Sequence, residues 1–281
     1  MTGTPPPLPF RWDLTRPDRL GSLPSDAEGP PPWAAQVVAC AAKVLARSGD
    51  ADLYFVGRSA DSVHDLLSGA LRDTSWRGRL GRLPVSLRPY EVYSDHERRR
   101  LREILAARLP APADMGRGRD AAFVDVVGYG ATFGSLLAAL EHWGADERAN
   151  LPVIRRKLRF VGLTIEQKTS PNTMRWWQHA AWTRSLPPSA VTNVSIDRYL
   201  FHYLAGWQAK TNETHRASRW WDDDVASPPR AEYAREGLGL AVRYTEHGAL
   251  RSTREALARG IAAEPAVRER WARGLMRELR G

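Results

Sequence analysis

The sequence predicts an α/β protein built on a parallel sheet. Short apolar runs ending in glycine or proline recur through the first 168 residues, and amphipathic helical stretches separate them. After Lys168 that alternation gives way to a helix-like, tryptophan-rich region. Residues 1–32 carry Pro5-Pro6-Pro7 and Pro30-Pro31-Pro32 with little periodicity. They are expected to form an extended arm, anchored at Phe10 and Trp12 and dispensable for folding. From Trp33 to Arg47, Val37, Val38, Ala41 and Leu45 share one helical face, and Ser48-Gly49-Asp50 stops the helix. Asp52 to Ser59 reads as a strand entering a glycine turn. Asp61 or Ser62 then caps a helix carrying Val63, Leu66, Leu67 and Ala70 at helical spacing.

Leu83 to Tyr90 is a second expected strand, bounded by Pro84 and Pro89, and Glu91 to Leu109 an amphipathic helix. Ala121 to Val127 is the clearest buried strand; a glycine loop leads from it into a helix over Phe133 to Trp143. Leu158 to Ile165 is the last expected strand. Arg251 to Leu279 is charged and helical, broken at Pro265. The expected organisation is an arm over 1–32, an α/β core over 33–168, and a mostly helical region over 169–281.

Composition narrows the function classes. At 43% hydrophobic and 26% charged, a chain of 281 residues buries a core and is neither disordered nor collagen-like. Cys40 is the only cysteine, so no internal disulfide forms and a reducing compartment is expected. No apolar run approaches the roughly 20 residues that span a bilayer. The first residues lack the basic end and apolar stretch of a secretion signal, so the expected location is cytoplasmic, without a membrane partner. The net charge of +9 suggests an anionic partner. Only Lys43, Lys157, Lys168 and Lys210 are lysines among 41 basic residues, and the arginines are spread among glutamates. Nucleic acid is therefore not the expected partner; a small phosphorylated ligand needs only two or three arginines. A homodimer is compatible with the sequence.

The most informative segment is Phe123-Val-Asp-Val-Val-Gly-Tyr-Gly-Ala-Thr-Phe-Gly-Ser135. It places Asp125 near the end of a buried strand. Gly128, Tyr129, Gly130, Ala131 and Thr132 then form a loop whose backbone N–H groups converge with a helix N-terminus, a cradle for an anion.

This run resembles the phosphoribosyl-pyrophosphate-binding motif of type I phosphoribosyltransferases: an apolar strand, two acidic residues and a Thr-Gly-Gly-Thr-like loop. Asp125 matches the second acidic residue, Tyr129-Gly130-Ala131-Thr132 match the loop, and Val124 replaces the first acidic residue. Gly57-Arg58-Ser59, two βα units upstream, matches the loop that receives pyrophosphate, and the likeness spans about residues 35–168. The resemblance implies a phosphoribosyltransferase-like core under a helical C-terminal hood. It also implies transfer of a 5-phosphoribosyl group from phosphoribosyl pyrophosphate to a nucleobase or small-metabolite acceptor, with release of pyrophosphate. Gly128 to Thr132 would hold the 5′-phosphate, and Gly57, Arg58 and Ser59 the pyrophosphate. Asp125 and Arg58 would be catalytic, with Asp125 contacting the ribose hydroxyls or, directly or through water, Mg²⁺. Trp177, Trp221, Asp222 and Asp223 are the candidates for holding the acceptor.

Two alternatives stay open. Gly128, Gly130 and Gly134 also form a GxGxxxG loop after a strand, as in nucleotide- or S-adenosylmethionine-dependent Rossmann enzymes, with Glu166 as the ribose carboxylate. Replacement of the first acidic residue by Val124 points instead to a non-catalytic sensor of the phosphoribosyl ligand. The seven histidines show no zinc-binding spacing.

Overall fold

A computed structural model describes residues 5–16, 20, 29–168 and 174–281. Five strands, β1 (Asp52–Val56), β2 (Leu80–Leu83), β3 (Ala121–Val126), β4 (Leu158–Ile165) and β5 (Val191–Ile196), form an all-parallel sheet in the order β2-β1-β3-β4-β5. Strand alternation splits the core into two layers. Leu53, Phe55, Val124, Val161, Leu163 and Val194 face one side. There they meet α1 (Ala34–Ser48), α2 (Asp61–Ala70), α9 (Arg251–Ala262) and α10 (Arg270–Arg280). On the other side, Val56, Phe123 and Phe160 meet α3 (Asp95–Ala106) and α5 (Ala131–Asp146). The short helices α4 (Pro112–Met115) and α6 (Leu151–Lys157) complete that layer, and α7 (Arg198–His202) follows β5.

The expected α/β class, with a parallel sheet, is therefore what the chain forms. Three elements differ. The second strand ends at Leu83 instead of beginning there: its register runs from Leu53–Leu80 to Val56–Leu83, and Pro84 has no N–H to continue the ladder. The third helix starts at Asp95 because Ser94 and Glu97 form a reciprocal capping box, worth about 1 kcal/mol; Tyr90–Val92 is a separate 3₁₀ turn.

The third difference is larger. The sheet runs past residue 168, because β5 pairs along β4 from Phe160–Val191 to Ile165–Ile196. The region expected as a hood is built into the core. Here α8 (Glu232–Ala249) lies along α2, and α9 lies along α1.

Of the expected arm, residues 1–4, 17–19 and 21–28 lie outside the described residues. What is described is extended but docked. Phe10 N–H donates to the Val225 carbonyl (2.7 Å), Asn212 Nδ2 to the Phe10 carbonyl (2.9 Å), and the Arg11 guanidinium reaches buried Asp65. Among the described residues, no helix is long and apolar enough to cross a membrane.

Candidate functional site

The chain leaves β1 toward α2 on one face of the sheet and leaves β3 toward α5 on the other. Because β1 and β3 are neighbours, the loops diverge and a crevice opens at their carboxyl ends, the place where doubly wound sheets bind ligands. A cavity of about 210 Å³ occupies it, lined by Gly57, Arg58, Ser59, Asp125 and Thr132, among others. Two loops some 70 residues apart in sequence thus share one cleft.

Local chemistry builds each loop. Gly57 has φ +68°, in the left-handed region, and its N–H donates to the Leu83 carbonyl (2.8 Å), turning the chain out of β1. Gly130, at φ +77°, caps the start of α5; a Cβ there would lie 2.4 Å from the Trp176 ring. Trp176 is buried beneath the loop and donates from Nε1 to Asn193 Oδ1 (3.2 Å). Tyr129 is 84% exposed, and Gly128 and Ala131 are also exposed. Of the loop residues expected to hold phosphate, Thr132 lines the cleft, and Gly128, Tyr129, Gly130 and Ala131 form the turn that precedes it.

Asp125 shares the sheet face of Phe123 and is 7% exposed. Its Oδ1 accepts from Val126 N–H (2.7 Å), but burial outweighs that bond and pushes the carboxyl up to about 7. Lys210, also in the cleft wall, is pulled down to about 8, again chiefly by burial. Its Nζ donates to the carbonyls of Arg58 (2.5 Å) and Leu204 (3.3 Å). Arg58 donates to the Asn212 carbonyl and to Thr214 Oγ1 (2.5 Å). Among the described residues, no carboxylate lies at salt-bridge distance from either cation.

Arg82 adds a third positive charge. It pairs with Asp61, which Arg11 approaches at 3.9 Å while bonding Asp65. Its Nε is buried and, among the described residues, has no hydrogen-bond partner. Arg82 is thus offset by Asp61 as Glu213 is by Arg219, which leaves Arg58 and Lys210 facing Asp125, whose ionisation burial opposes. The imbalance favours an anion.

The acceptor candidates lie elsewhere. Trp177 packs edge-on against Trp176, Trp221 stacks on His96 at 4.6 Å, Asp222 pairs with Arg219, and Asp223 begins a surface 3₁₀ turn. None of the four is among the residues lining the cleft. Conversely, Lys210, Arg82 and the wall from Asn212 to His215 were not singled out by the sequence. A signal existed for Lys210: a lysine is rare in this arginine-rich chain, and lysine is the cation whose charge burial can tune.

Comparison of the chain with protein-family models, curated proteins and solved structures finds no match.

Proposed function

We propose that the cleft binds phosphoribosyl pyrophosphate and that the chain is a phosphoribosyltransferase of the type I kind. The observation carrying this reading is the meeting of Gly57–Ser59 with Asp125 and Thr132 in one cationic crevice at the β1/β3 switch point. In this arrangement Thr132 and the N-terminus of α5 receive the 5′-phosphate. Arg58, Arg82 and Lys210 neutralise the pyrophosphate. Asp125 contacts the ribose; Val124, where the motif has its first carboxylate, is fully buried on the opposite face of the sheet. During transfer, the acceptor forms a bond to the anomeric carbon as the bond to the pyrophosphate oxygen breaks. The bonding pair leaves with pyrophosphate, and the acceptor's proton is released to solvent.

Of the carboxylates lining the cleft, Glu213 is held by Arg219, which leaves Asp125; one carboxylate plus substrate phosphates is within what Mg²⁺ accepts. Asp125 would hold the ion, which supplies charge neutralisation at the leaving group. The Rossmann alternative has less support, since Glu166 follows β4 and is not among the cleft-lining residues.

Calorimetry with phosphoribosyl pyrophosphate and with ribose 5-phosphate, with and without Mg²⁺, tests the reading. Binding of both ligands is expected. Thr132→Val should weaken ribose 5-phosphate by about 1–3 kcal/mol by removing a hydroxyl donor to an anion. Unchanged affinity in that variant would defeat the phosphate cradle. Donor binding without pyrophosphate release on a panel of acceptors would make the chain a sensor.

A further inference from the structure

The described part of the arm meets the molecule where the cleft is built. Pro9 is part of the cleft lining. The Phe10 carbonyl accepts from Asn212 Nδ2 (2.9 Å), and the Phe10 N–H donates to the Val225 carbonyl (2.7 Å). Arg11 donates to Thr211 Oγ1 (3.4 Å). Asn212 is also the residue whose carbonyl receives Arg58, so the arm and the arginine on the pyrophosphate side hold the same stretch of wall.

Behind that wall, Arg11 enters a buried charge cluster. Its guanidinium bonds Asp65 and lies 3.9 Å from Asp61, which in turn pairs with the cleft cation Arg82. Both carboxylates are buried on α2. His64 touches Asp65 at 3.0 Å, but burial holds its pKa below the ordinary value, so at pH 7 it adds no charge. The two arginines therefore cancel the two carboxylates, and Arg58 and Lys210 keep their charges for a ligand. Without Arg11, two carboxylates would face Arg82 alone. Their surplus would act on Lys210, which burial holds down and on which Asp61 is the largest opposing influence. Buried charges are weakly screened, so that surplus would also reach an anion in the cleft.

We infer, on the reading of the cleft as the donor site, that Arg11 is a positioning residue for that site and that the docked arm sets its affinity for pyrophosphate. Arg11 is not among the cleft-lining residues. It acts by cancelling the carboxylates beside Arg82 and by bracing the wall that carries Lys210 and receives Arg58. Coupling of this kind is reciprocal: an anion in the cleft holds the arm down as strongly as the arm favours the anion.

Inorganic pyrophosphate, titrated without metal at low salt, tests the charge balance by the signs of two changes. Arg11→Ala is expected to weaken pyrophosphate about fivefold, and Arg11→Lys, which keeps the charge, to recover most of that loss. Asp65→Asn takes negative charge from the same cluster while Asp61 and the Phe10 hydrogen bonds still hold the arm. It is expected to tighten pyrophosphate about threefold, whereas a purely structural role for the Arg11–Asp65 pair would make both variants weaker. No change in Arg11→Ala, a lysine variant as weak as the alanine one, or weaker binding by Asp65→Asn would each overturn the assignment. Trypsin acting on the unaltered chain gives a measurement that needs no variant to fold. Cleavage between Arg11 and Trp12 requires the guanidinium to leave its carboxylates. Saturating pyrophosphate should therefore slow it about fivefold more than cleavage after Arg117, whose side chain is 84% exposed. Equal slowing at the two sites would show that the arm and the anion are uncoupled. Failure of pyrophosphate to bind the unaltered chain removes the donor reading itself, whereas binding that ignores Arg11 removes the role of the arm alone.

Discussion

Asp125 and Lys210 show how burial sets the behaviour of single residues in this protein. The Asp125 carboxyl is raised from the ordinary aspartate value to about 7, so folding favours its protonated form. Stability from this group is therefore full below pH 4, falls as pH rises toward 7, and is flat above that. Asp125→Asn keeps an oxygen for the Val126 N–H and removes the buried charge. It should raise stability at pH 8 by roughly 1–3 kcal/mol, as read by thermal unfolding, and should have little effect at pH 4. A lower midpoint at pH 8 would show that the carboxylate is stabilised by partners other than Val126. Binding of an anion without metal should follow the same groups. Between pH 6 and 9 Asp125 gains a negative charge and Lys210, at about 8, loses a positive one. Sulfate, which does not titrate there, should lose about tenfold in affinity across that range by calorimetry. Arg58→Ala should weaken phosphoribosyl pyrophosphate by about 1.5–3 kcal/mol. Because Arg58 also ties down Asn212 and Thr214, ribose 5-phosphate serves as the control for damage to the wall; equal losses for both ligands would place Arg58 outside the pyrophosphate site.

Elements pack closely where side chains are absent. A Cβ on Gly69 of α2 would lie 1.8 Å from the Thr245 carbonyl oxygen, and one on Gly248 of α8 would lie 2.0 Å from that of Leu66. The two helices therefore touch backbone to backbone. A third glycine, Gly237, brings α8 against the backbone of Lys210 and Thr211, the start of the cleft wall. Gly248→Ala should cost about 1–3 kcal/mol, lowering the thermal midpoint while far-UV circular dichroism stays unchanged. Gly274→Ala is the control, since a Cβ in that α10 position meets nothing within 4 Å and should be neutral or stabilising. Similar losses in both variants would mean that helix propensity, not close approach, governs these positions. The same logic explains why part of the site was hard to read. The loop around Gly130 was legible because glycines after a buried strand are a strong local signal. That Trp176 fills the space beneath it depends on a contact across 46 residues, which no local pattern announces.

At the scale of the whole molecule, the arm is the place where composition misleads. Proline-rich and polar, it reads as dispensable, yet Arg11 pairs with Asp65, a carboxylate buried in α2 beside His64. Removing residues 1–16 should leave that carboxylate without its cation and destabilise the protein by about 3–5 kcal/mol. Asp65→Asn in the shortened chain should recover part of the loss in scanning calorimetry. A midpoint unchanged by truncation would restore the view of the arm as an accessory. The arm also bears on the site, since Pro9 lines the cleft and Arg11 stands behind the Asp61–Arg82 pair.

By itself, the sequence determined the α/β class, three of the five strands (β1, β3 and β4), and the two loops that meet at the cleft; the strand it placed from Leu83 onward lies instead at Leu80–Leu83. These are encoded by short-range features: apolar runs of strand length, helical periodicity, and glycines where the backbone turns. Tertiary structure decided the rest. It added β5 from a stretch of mixed polarity whose strand character comes from pairing along β4. It brought Arg82 and the stretch from Lys210 to His215 to the β1/β3 crevice from two separate segments, and it docked a proline-rich arm through the Arg11–Asp65 pair and hydrogen bonds at Phe10. Each depends on which distant surfaces meet, and burial gives those residues their charge states only once they have met.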